Sequence, residues 1–587
     1  MVASLLLAVI ASVFIGCKEE MPVGLPVPAP EPDPEPVVDD GRPAPGDYLL
    51  PLIETTDLHG YVVDNDNGTI HYRLAYIADK ANDIRGKSGE IDKDRLVLLD
   101  GGDLYQGAAI SNLLDGWPVF AAMDKMGYDA VALGNHEFDW GFDNTVDADA
   151  TMPDYERSGQ RCVNSVPVLC ANLYKNGARV SSTSDYVILE KNAVNSAGKT
   201  ISVKIGVIGF AVNYSSSILA SRFADQGYSI NENYSIASSI ARDLESSGQC
   251  DATILLIHGA AENAAGRLGS GTPIDLVLGG HSHTYSSGAT SYGVPYLQGG
   301  RYGERYAYAD LKFNVDAETR EISFKSVVNQ KILSVDSTRD IHTTPAQNSW
   351  ELDEEVLAIS DEAVDATSQQ MNDVIGYITV GASSYTINGS GDRAAVISNW
   401  MCDILRSIGD ADVAFVNAGG VRTYFSLGGQ SRLDITVSNV YEMFPFSNTV
   451  YVYNITYGDL LKVFEYSMTY QGQVLFSRMT GMDCCFNGSN IISLKKDGTV
   501  IYQNGTWTGD WASYTTVLAV SEYVATTQRI DSATGLKNPL IEWNSTSKLI
   551  SNDLVDNENA VRVLREEAAA SGGHLYIDTA AHFIAQP

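Results

Sequence analysis

Basic residues are scarce in this chain, which has 39 lysines and arginines against 73 aspartates and glutamates. The formal net charge is therefore −34 at pH 7. Because no excess of positive charge is present to displace the counterions of a phosphate backbone, the composition argues against a nucleic-acid polymer as the main partner. A small anionic substrate is compatible with this charge, provided that metal ions and a few arginines reverse the local field.

Several other features are absent from the sequence. No Cys-x-x-Cys pair occurs among the seven cysteines, which disfavours a zinc site built from thiolates. No apolar run is long enough to span a membrane as a mature helix, and no internal repeat is visible. If the chain is exported, some thiols can oxidise, and Cys162 with Cys170 is the best candidate for a short-range disulfide.

The first seventeen residues predict an export signal. The segment Met1–Ile15 is apolar, has the length of a signal core, and precedes Gly16 and Cys17. Cys17 resembles the lipidated cysteine of bacterial lipoproteins, so we expect an exported protein anchored at the cell envelope, in the periplasm or at the surface, through this residue alone. An ordinary secretory signal is the alternative. Residues 18–46 are rich in proline and acidic residues, which predicts a semi-rigid spacer.

At 587 residues the chain is too long for a single core, and two sizeable domains are predicted. Residues 47–340 alternate apolar strands with helical patterns, which predicts α/β structure with helices on both faces of the sheet. An acidic amphipathic segment in residues 341–371 predicts a connecting helix, and residues 372–587 predict a second domain. The helical patterns of the first domain lie at His71–Arg85, Trp117–Met126 and Ile230–Glu245.

Metal-capable side chains follow five of the predicted strands. The clearest case is the apolar run Ala130–Leu133, which stops at Gly134-Asn135-His136-Glu137-Phe138-Asp139. The other strand ends lead into Asp57-Leu58-His59-Gly60, Gly102-Asp103-Leu104-Tyr105-Gln106-Gly107, His258 and Gly280-His281-Ser282-His283. Five of the nine histidines are in these clusters. Carboxylates, imidazoles and an amide oxygen suit a divalent metal, and such sheets place their sites beyond the strand carboxyl ends.

With these motifs assembled, the chain resembles the 5′-nucleotidase family in its bacterial exported lipoprotein form. The strand-end motifs match a calcineurin-like metallophosphoesterase domain. Two later motifs, Asn417-Ala418-Gly419-Gly420-Val421-Arg422 and Pro445-Phe446-Ser447-Asn448-Thr449, match the nucleotidase branch. The resemblance covers roughly residues 47 to 560. It implies an N-terminal four-layer α/β/β/α sandwich, a helical linker and a C-terminal α/β substrate-binding domain.

The resemblance also implies two divalent metal ions, with zinc, manganese, cobalt and calcium as candidates. One ion would be held by Asp57, His59 and His283, the second by Asn135, His258 and His281, and Asp103 would bridge them. His136 would face the phosphoryl group and stabilise the charge of the transition state, oriented by Asp139. Asp100 and Glu137 are interpreted as structural residues, because the family pattern needs neither as a ligand.

Substrate-binding residues are implied in the C-terminal domain. Arg393 and Arg422 would bind phosphate, a task suited to the guanidinium fork, and Asn417 belongs to the same motif as Arg422. Phe446 matches one wall of an aromatic clamp for the base, and Tyr523 is the candidate for the other wall. The Gly-Gly-Asp-Gly segment that usually follows is replaced here by Thr526-Thr527-Gln528-Arg529.

The implied reaction is the hydrolysis of nucleotide phosphomonoesters to nucleoside and phosphate, with cyclic nucleotides and UDP-sugars as further candidate substrates. One alternative keeps the metals but acts on another phosphoester or a thiosulfate ester. The other is a non-catalytic surface lipoprotein that uses the fold as a scaffold. Because metals and clamp would lie on different domains, we expect domain closure, with a hinge in residues 351–370. The sequence leaves open whether the protein is a monomer or a dimer.

Overall fold

The computed structural model describes most of the chain beyond residue 41. The described residues are 42–66, 69–86, 91–157, 159–214, 223–224, 226–335, 351–379, 394–417, 420–421, 431–446, 448–468, 478–488, 490–527, 535–578, 580 and 582–585. Several predictions fall outside them: the export signal with Cys17, residues 18–41 of the spacer, residues 341–350 of the linker, Arg393 and Arg422.

The first half of the described chain alternates strands and helices, as predicted. Its strands are β1 Gly46–Thr55, β2 Asp64–Asp66, β3 Thr69–His71, β4 Val97–Asp100, β5 Ala130–Ala132, β6 Tyr155–Arg157, β7 Gln160–Cys162, β8 Val168–Leu169, β9 Leu173–Lys175, β10 Ala178–Arg179, β11 Tyr186–Val194, β12 Thr200–Ala211, β13 Tyr228–Ile230, β14 Ala252–His258, β15 Leu276–Gly279, β16 Tyr285–Ala289, β17 Pro295–Gly299, β18 Arg305–Val315 and β19 Ile322–Ser334. Its helices are α1 Arg73–Arg85, α2 Ala109–Asn112, α3 Trp117–Met126, α4 Ser235–Ser246 and α5 Ala261–Leu268.

Twelve of these strands form one hydrogen-bonded sheet in the order β16-β17-β15-β14-β12-β11-β1-β4-β5-β8, with β18 paired to β1 and β19 paired to β18. Alternate residues of the strands face different cores. Leu52 and Leu256 lie in a core shared by the two halves of the sheet. Ile53 faces the core that includes α1 and α3, and Ile257 faces the core that includes α4 and α5. One sheet thus encloses a core between its two halves and is covered by helices on its other face, which confirms the predicted α/β class.

The pairing of the strands brings the five polar clusters to one region. Strands β1, β4 and β5 are parallel, and so are β12, β14 and β15. Four clusters follow β1, β4, β5 and β15, and His258 is the last residue of β14, which confirms the five predicted strands. Parallel strands end on the same side of a sheet, so these connections can meet.

The three predicted helices of the first half are confirmed, two of them with a later start. Helix α3 has the predicted bounds, α1 begins two residues late at Arg73, and α4 begins at Ser235 instead of Ile230. Ile230 belongs to β13, which pairs with β9, so the helix cannot start there. The Asn233 side chain accepts a hydrogen bond of 3.1 Å from the Ser235 backbone N–H and so helps to start α4.

The predicted connecting helix is α6, Glu354–Met371. The Asp353 side chain caps its amino end by accepting a 2.9 Å hydrogen bond from the Val356 backbone N–H. Val356 and Ile359 are buried in the same core as α1 and α3. An ion pair of 2.7 Å between Arg157 and Glu362 adds to this attachment. The helix is therefore packed onto the first half of the molecule over its first three turns.

The second half contains two five-stranded sheets and a strand pair. Its strands are β20 Val374–Thr379, β21 Val413–Val416, β22 Arg432–Thr436, β23 Thr449–Thr456, β24 Arg478–Thr480, β25 Asp483–Asn487, β26 Asn490–Lys496, β27 Thr499–Gln503, β28 Thr506–Trp507, β29 Thr515–Ser521, β30 Leu549–Val555 and β31 Phe583–Ala585. Its helices are α7 Ala394–Gly409, α8 Val437–Met443, α9 Tyr457–Met468, α10 Glu522–Thr526, α11 Pro539–Trp543 and α12 Asp556–Ser571. The sheets have the orders β24-β21-β29-β23-β30 and β28-β27-β26-β25-β31.

Strand β21 separates two cores in this half. Ala414 and Val416 face a core with α7 and α12, whereas Val413 and Phe415 face a core with α9. The second half is therefore α/β structure as predicted, while the division of the chain at residues 47–340, 341–371 and 372–587 stays a prediction. Among the described helices, none is both long and apolar enough to span a membrane.

The expected disulfide between Cys162 and Cys170 is wrong for this structure, in which both residues carry thiols. The buried Cys170 thiol lies 3.4 Å from the Asn172 side-chain oxygen, to which it donates. Cys162 lies in the β6–β7 hairpin, and its sulfur contacts the Gln160 backbone oxygen at 3.9 Å. The two thiols therefore have separate partners, which spacing along the sequence did not reveal.

Candidate active site

The strand ends bring all seven predicted metal ligands together. Four of them, Asp57, His59, Asp103 and His283, have donor atoms within 4.8 Å of one another. Asp103 belongs also to a second group of this kind with His258 and His281. The shared carboxylate is therefore placed as a bridging ligand would be, between two groups of donors.

The donors of the first group face each other directly. The Nε2 atoms of His59 and His283 are 3.0 Å apart. His59 Nε2 is 3.7 Å from Asp103 Oδ2, and His283 Nε2 is 3.5 Å from Asp57 Oδ1. Four donors from three separate stretches of the chain thus point at one small space.

Asn135 completes the second group. Its side-chain oxygen is 2.7 Å from His281 Nδ1 and 3.2 Å from His258 Nε2. His258 Nε2 is also 3.1 Å from Asp103 Oδ2. An amide oxygen, two imidazoles and a carboxylate therefore converge, which is a donor set that suits a divalent metal.

Backbone carbonyls fix which ring nitrogen of two histidines faces the cluster. His59 Nδ1 is 2.9 Å from the Gln106 carbonyl oxygen, and His258 Nδ1 is 2.6 Å from the Gly101 carbonyl oxygen. Because a carbonyl oxygen only accepts, each Nδ1 carries the proton and donates it. In the neutral, metal-binding form of each ring the lone pair is then on Nε2, the atom that faces the other donors, as in metal-ligating histidines.

The backbone is unusual at five of the seven positions. Positive φ angles occur at Asp57 (51°), His59 (48°), Asp103 (59°), His281 (70°) and His283 (55°). Such angles are rare for residues other than glycine and cost about 1–3 kcal/mol each. The chain accepts this local cost where the strand must turn sharply to present its side chain to the cluster.

Gly134 is required by close approach. A Cβ atom at this position would lie 2.3 Å from Asp103 Oδ1 and 2.6 Å from Glu137 Oε2. Any larger residue would push the shared carboxylate out of its place, so glycine is the residue that fits here.

The electrostatics of the cluster indicate a site for cations. Burial raises the pKa of Asp57 to about 7, and Asp103 adds to the effect while His258 opposes it. Burial also works against the ionised form of Asp103, yet His258 and His136 hold its pKa well below the usual range. Burial disfavours charge on His258, but Asp103 raises the pKa of this ring to about 10. Positive charge is therefore favoured next to Asp103, and the donor set fits metal ions.

His136 and Asp139 lie beside the cluster as a pair. His136 Nδ1 is 2.5 Å from Asp139 Oδ2, and the His136 backbone N–H donates to Asp103 Oδ1 at 2.9 Å. The carboxylate orients the imidazole, and the backbone contact ties the ring to the shared ligand. This is the arrangement predicted for a histidine that faces a substrate.

Glu137 and Asp100 hold the backbone of the site. Glu137 is buried and accepts hydrogen bonds from the backbone N–H groups of Gly134 (2.7 Å), Leu104 (2.8 Å) and Asp103 (3.2 Å). Asp100 accepts from Thr55 Oγ1 and from the Gly102 N–H, at 2.5 Å and 2.8 Å. These contacts agree with the structural interpretation of both residues.

Glu137→Gln is therefore expected to destabilise the fold by about 1–3 kcal/mol, because the amide can no longer accept all three buried N–H groups. Denaturant unfolding measures this change, and the metal content should fall with it as the turn that carries Asp103 loosens. Glu156→Gln, an exposed substitution on β6, is the matched control. Equal stability of the two variants would show that the three contacts do not hold the site.

A cleft of about 260 Å³ runs from the cluster into the second half. Asp103, His136 and Asp139 line it on one side. On the other side, it is lined by Asn417, Phe446 and Tyr523, together with apolar residues of α7 and α8. All three of the predicted substrate-binding residues that the structure describes are thus at the cleft.

Phe446 contacts His136, the residue predicted to face the phosphoryl group. Its ring stacks on the His136 ring, with centroids 5.4 Å apart and planes inclined by 16°. The aromatic wall predicted for a base therefore lies against the histidine predicted to face the phosphoryl group. Sequence spacing gives no sign of this contact, because 310 positions separate the two residues.

Sequence reasoning missed two tyrosines next to the ligands. The Tyr302 ring lies 5.7 Å from the His59 ring, and its backbone N–H donates to the Asp57 carbonyl at 2.8 Å. The buried Tyr214 hydroxyl donates to the Leu133 carbonyl at 2.6 Å, and its ring lies 5.9 Å from the ring of His258. Glycines on both sides of Arg301-Tyr302 are a sequence signal for the first, whereas nothing in the sequence singles out the second.

Comparison with known proteins agrees with this geometry. The family model of the 5′-nucleotidase C-terminal domain matches residues 374–516. Protein UshA of Yersinia enterocolitica is 25% identical over 448 residues, which cover 69% of this chain and 73% of the relative. The 5′-nucleotidase of Vibrio parahaemolyticus is 25% identical over 445 residues, covering 69% and 72% of the two chains.

A solved structure shows the same fold. The crystal structure of a putative 5′-nucleotidase from Staphylococcus aureus in complex with alpha-ketoglutarate has a TM-score of 0.62 and 17% sequence identity. The match covers 92% of this chain and 100% of that chain. None of these matches bears on the lipoprotein form, which stays a prediction. The resemblance to 5′-nucleotidases inferred from the sequence motifs is confirmed, and the chain is a relative of the two-domain 5′-nucleotidases, which join a metallophosphoesterase fold to a 5′-nucleotidase C-terminal domain.

Proposed function

We propose that this protein is a metal-dependent hydrolase of nucleotide phosphomonoesters that releases nucleoside and phosphate. The observation that carries the proposal is the convergence of seven metal-capable side chains at one cleft, whose far side is lined by Asn417, Phe446 and Tyr523. Relatives named 5′-nucleotidase support the nucleotide as substrate. Cyclic nucleotides and UDP-sugars are further candidate substrates.

Two divalent cations fit the donor set. Asp57, His59 and His283 would hold one, Asn135, His258 and His281 the other, and Asp103 would be shared. When bound, the cations supply Lewis-acid stabilisation of phosphoryl oxygens and a nucleophilic water at neutral pH. Zinc, manganese and cobalt accept mixed oxygen and nitrogen donors, whereas calcium prefers oxygen alone, so we expect calcium to support activity least.

The residues around the cations would orient the substrate. Asp139 holds His136 through Nδ1, so the rest of the imidazole is available to stabilise negative charge on the phosphoryl group. Arg393 and Arg422, which lie outside the described residues, are proposed to bind the phosphate. Phe446 and Tyr523 are proposed to contact the base.

The expected result of a substrate panel is phosphate release from adenosine monophosphate that stops after chelation. Added zinc, manganese or cobalt should restore it, because the donor set suits these metals. Glycerol phosphate, which has no base to contact Phe446, should be hydrolysed at least about tenfold less efficiently, as expected if contact with the base contributes about 1.4 kcal/mol.

Other outcomes of the same panel identify the alternatives. Equal efficiency with glycerol phosphate would favour a hydrolase of other phosphoesters, and turnover of a thiosulfate ester alone would favour a thiosulfate-ester hydrolase with the same metal site. Absence of turnover with every metal and substrate would favour a non-catalytic surface protein.

Domain closure over the substrate is a further part of the proposal, because ligands and aromatic wall come from different halves of the molecule. Since α6 is packed onto the first half, we place the pivot at its carboxyl end, at Asn372 and Asp373. An engineered disulfide between α2 and α8, which contact each other, should abolish turnover by preventing opening. Reduction of the same sample is the control, and undiminished turnover of the oxidised form would contradict the proposal.

Export and lipid anchoring at Cys17 are proposed from the amino-terminal sequence. The apolar segment Met1–Ile15 before Gly16 and Cys17 supports both. A Cys17→Ser variant should move from the membrane fraction to the soluble fraction of the cell envelope, and an unchanged distribution would rule out the lipid anchor.

A further inference from the structure

Two side-chain amides of the first half meet one backbone carbonyl of the second half. Gln106 Nε2 and Asn112 Nδ2 both donate to the Pro445 oxygen, the second at 3.0 Å. A carbonyl oxygen has two lone pairs and can accept both hydrogen bonds. The Gln106 side chain is fully buried, so water does not compete for this contact. We call these three residues the paired-amide contact.

The amides belong to the segment that carries the metal cluster. Gln106 lies three residues after Asp103, and its own carbonyl oxygen accepts the hydrogen bond from His59 Nδ1. Asn112 ends α2, and its side-chain oxygen accepts from the Gly107 backbone N–H at 3.0 Å. The backbone of Gln106 and the side-chain amide of Asn112 are therefore held relative to the cluster independently of Pro445.

Pro445 lies between the residues that enter the core of α7 and α12 and the aromatic wall residue Phe446. Met443 and Phe444, which precede it, are buried in the core of α7 and α12, and Phe446, which follows it, stacks on His136. The Pro445 carbonyl oxygen and the Phe446 nitrogen and Cα belong to one planar peptide unit, so the position of this oxygen restricts where Phe446 can lie. Hydrogen bonds to the Pro445 oxygen therefore also restrict the position of the Phe446 ring.

The side-chain oxygen of Gln106 is in an unfavourable position in this arrangement. Within the described part of the chain, its buried side-chain oxygen has no hydrogen-bond partner. Leaving a buried acceptor unpaired is unfavourable, and most such groups in folded proteins are paired. The amide is thus oriented for its nitrogen to reach Pro445, even though its oxygen gains nothing from that orientation.

We propose that Gln106 and Asn112 are positioning residues that set the place of Phe446 over the cleft and so determine the preference for substrates that carry a base. The inference rests on the proposed function, because it concerns which phosphoesters that site selects. Neither amide is assigned a contact with substrate or metal. Their effect passes through Pro445 to Phe446, and for that reason it should depend on whether the substrate has a ring for Phe446 to contact.

The test uses Gln106→Met, Asn112→Asp and the double variant of the full chain. Methionine fills nearly the same volume without a donor. Aspartate keeps the acceptor for the Gly107 N–H but turns a carboxylate oxygen toward the Pro445 carbonyl, which it repels. For the double variant, kcat/KM with adenosine monophosphate should fall at least about tenfold, mainly through KM, since two hydrogen bonds are lost. With glycerol phosphate, kcat/KM should stay within about twofold.

Two measurements without substrate complete the test. Metal content should stay unchanged, and hydrogen exchange of the peptide covering residues 440–450 should become faster in the variants. Gln298→Met is the matched control: this buried amide supports the ligand loop by donating to Ser282 Oγ at 2.9 Å. Its loss should affect both substrates by the same factor and leave exchange of that peptide unchanged.

The outcomes separate this inference from the proposed function. Equal losses with both substrates, or unchanged exchange of residues 440–450, would overturn the positioning role. If the unmodified protein hydrolyses neither substrate, the proposed function fails, and the exchange measurement alone decides whether the two amides hold Pro445.

Discussion

Replacing Asp103 with alanine is expected to remove both phosphate release and most of the bound metal. Its carboxylate is the donor common to both ligand groups, 3.1 Å from His258 Nε2 and 3.7 Å from His59 Nε2. It also accepts the hydrogen bond from the His136 backbone N–H. Because loss of a residue that merely supports a metal ligand already costs about 10–100-fold in affinity or activity, loss of the shared ligand should exceed 100-fold by a clear margin.

Elemental analysis of the purified variant, combined with a phosphate-release assay, measures both effects. Asp243→Ala, on the exposed face of α4, is the control for loss of a carboxylate elsewhere and should match the unmodified protein. An Asp103→Ala variant that kept two metal ions per chain would show that the ligand groups do not share this residue.

Replacing His136 with alanine should have an effect of similar size on rate but none on metal content. The ring is beside the ligand groups without belonging to them, and Asp139 holds it at the cleft. Loss of a positioned side chain that assists proton transfer or charge stabilisation typically lowers the rate by about 10²–10⁴-fold. The decrease should appear in kcat, because the group acts on the reacting phosphoryl group.

Asp139→Asn is the companion variant for this prediction. Asparagine can still accept a hydrogen bond from His136 Nδ1, but it lacks the negative charge that favours the protonated ring. An intermediate loss of rate with full metal content is therefore expected. If His136→Ala instead lost metal, His136 would have to be reassigned as a ligand.

The metal cluster was predictable because its ligands are residue types that commonly bind metals, and they occur at recognisable places in the sequence. Aspartate, asparagine and histidine directly after apolar runs stand out in a chain with only nine histidines, and parallel strands bring such positions to one edge of a sheet. The same logic assigned Glu137 to a structural role, which its three backbone contacts support. Helix α3 was predictable with its bounds, because an apolar stripe begins after Gly116 and ends at Gly127.

The contacts between the two halves were not predictable from the sequence. Gln106, Pro445 and Phe446 belong to motifs visible in the chain, but their mutual contacts depend on how two separate cores pack together. The predicted start of α4 was wrong for a related reason, because Ile230 belongs to β13, which pairs with the distant strand β9. Periodicity reports which face of a segment is buried and says nothing about the partner that covers it.

The left-handed backbone at five ligand positions limits how this metal centre can be redesigned. Asparagine, aspartate and histidine tolerate that conformation better than most other residues do, whereas β-branched or bulky side chains do not. Substitutions intended to change metal selectivity at Asp57, His59 or His283 are therefore confined to a small set of side chains, whatever the incoming metal prefers. Engineered variants with glutamate or cysteine donors would first need a different loop path, so selectivity is easier to alter at Asn135 or His258, where φ is ordinary.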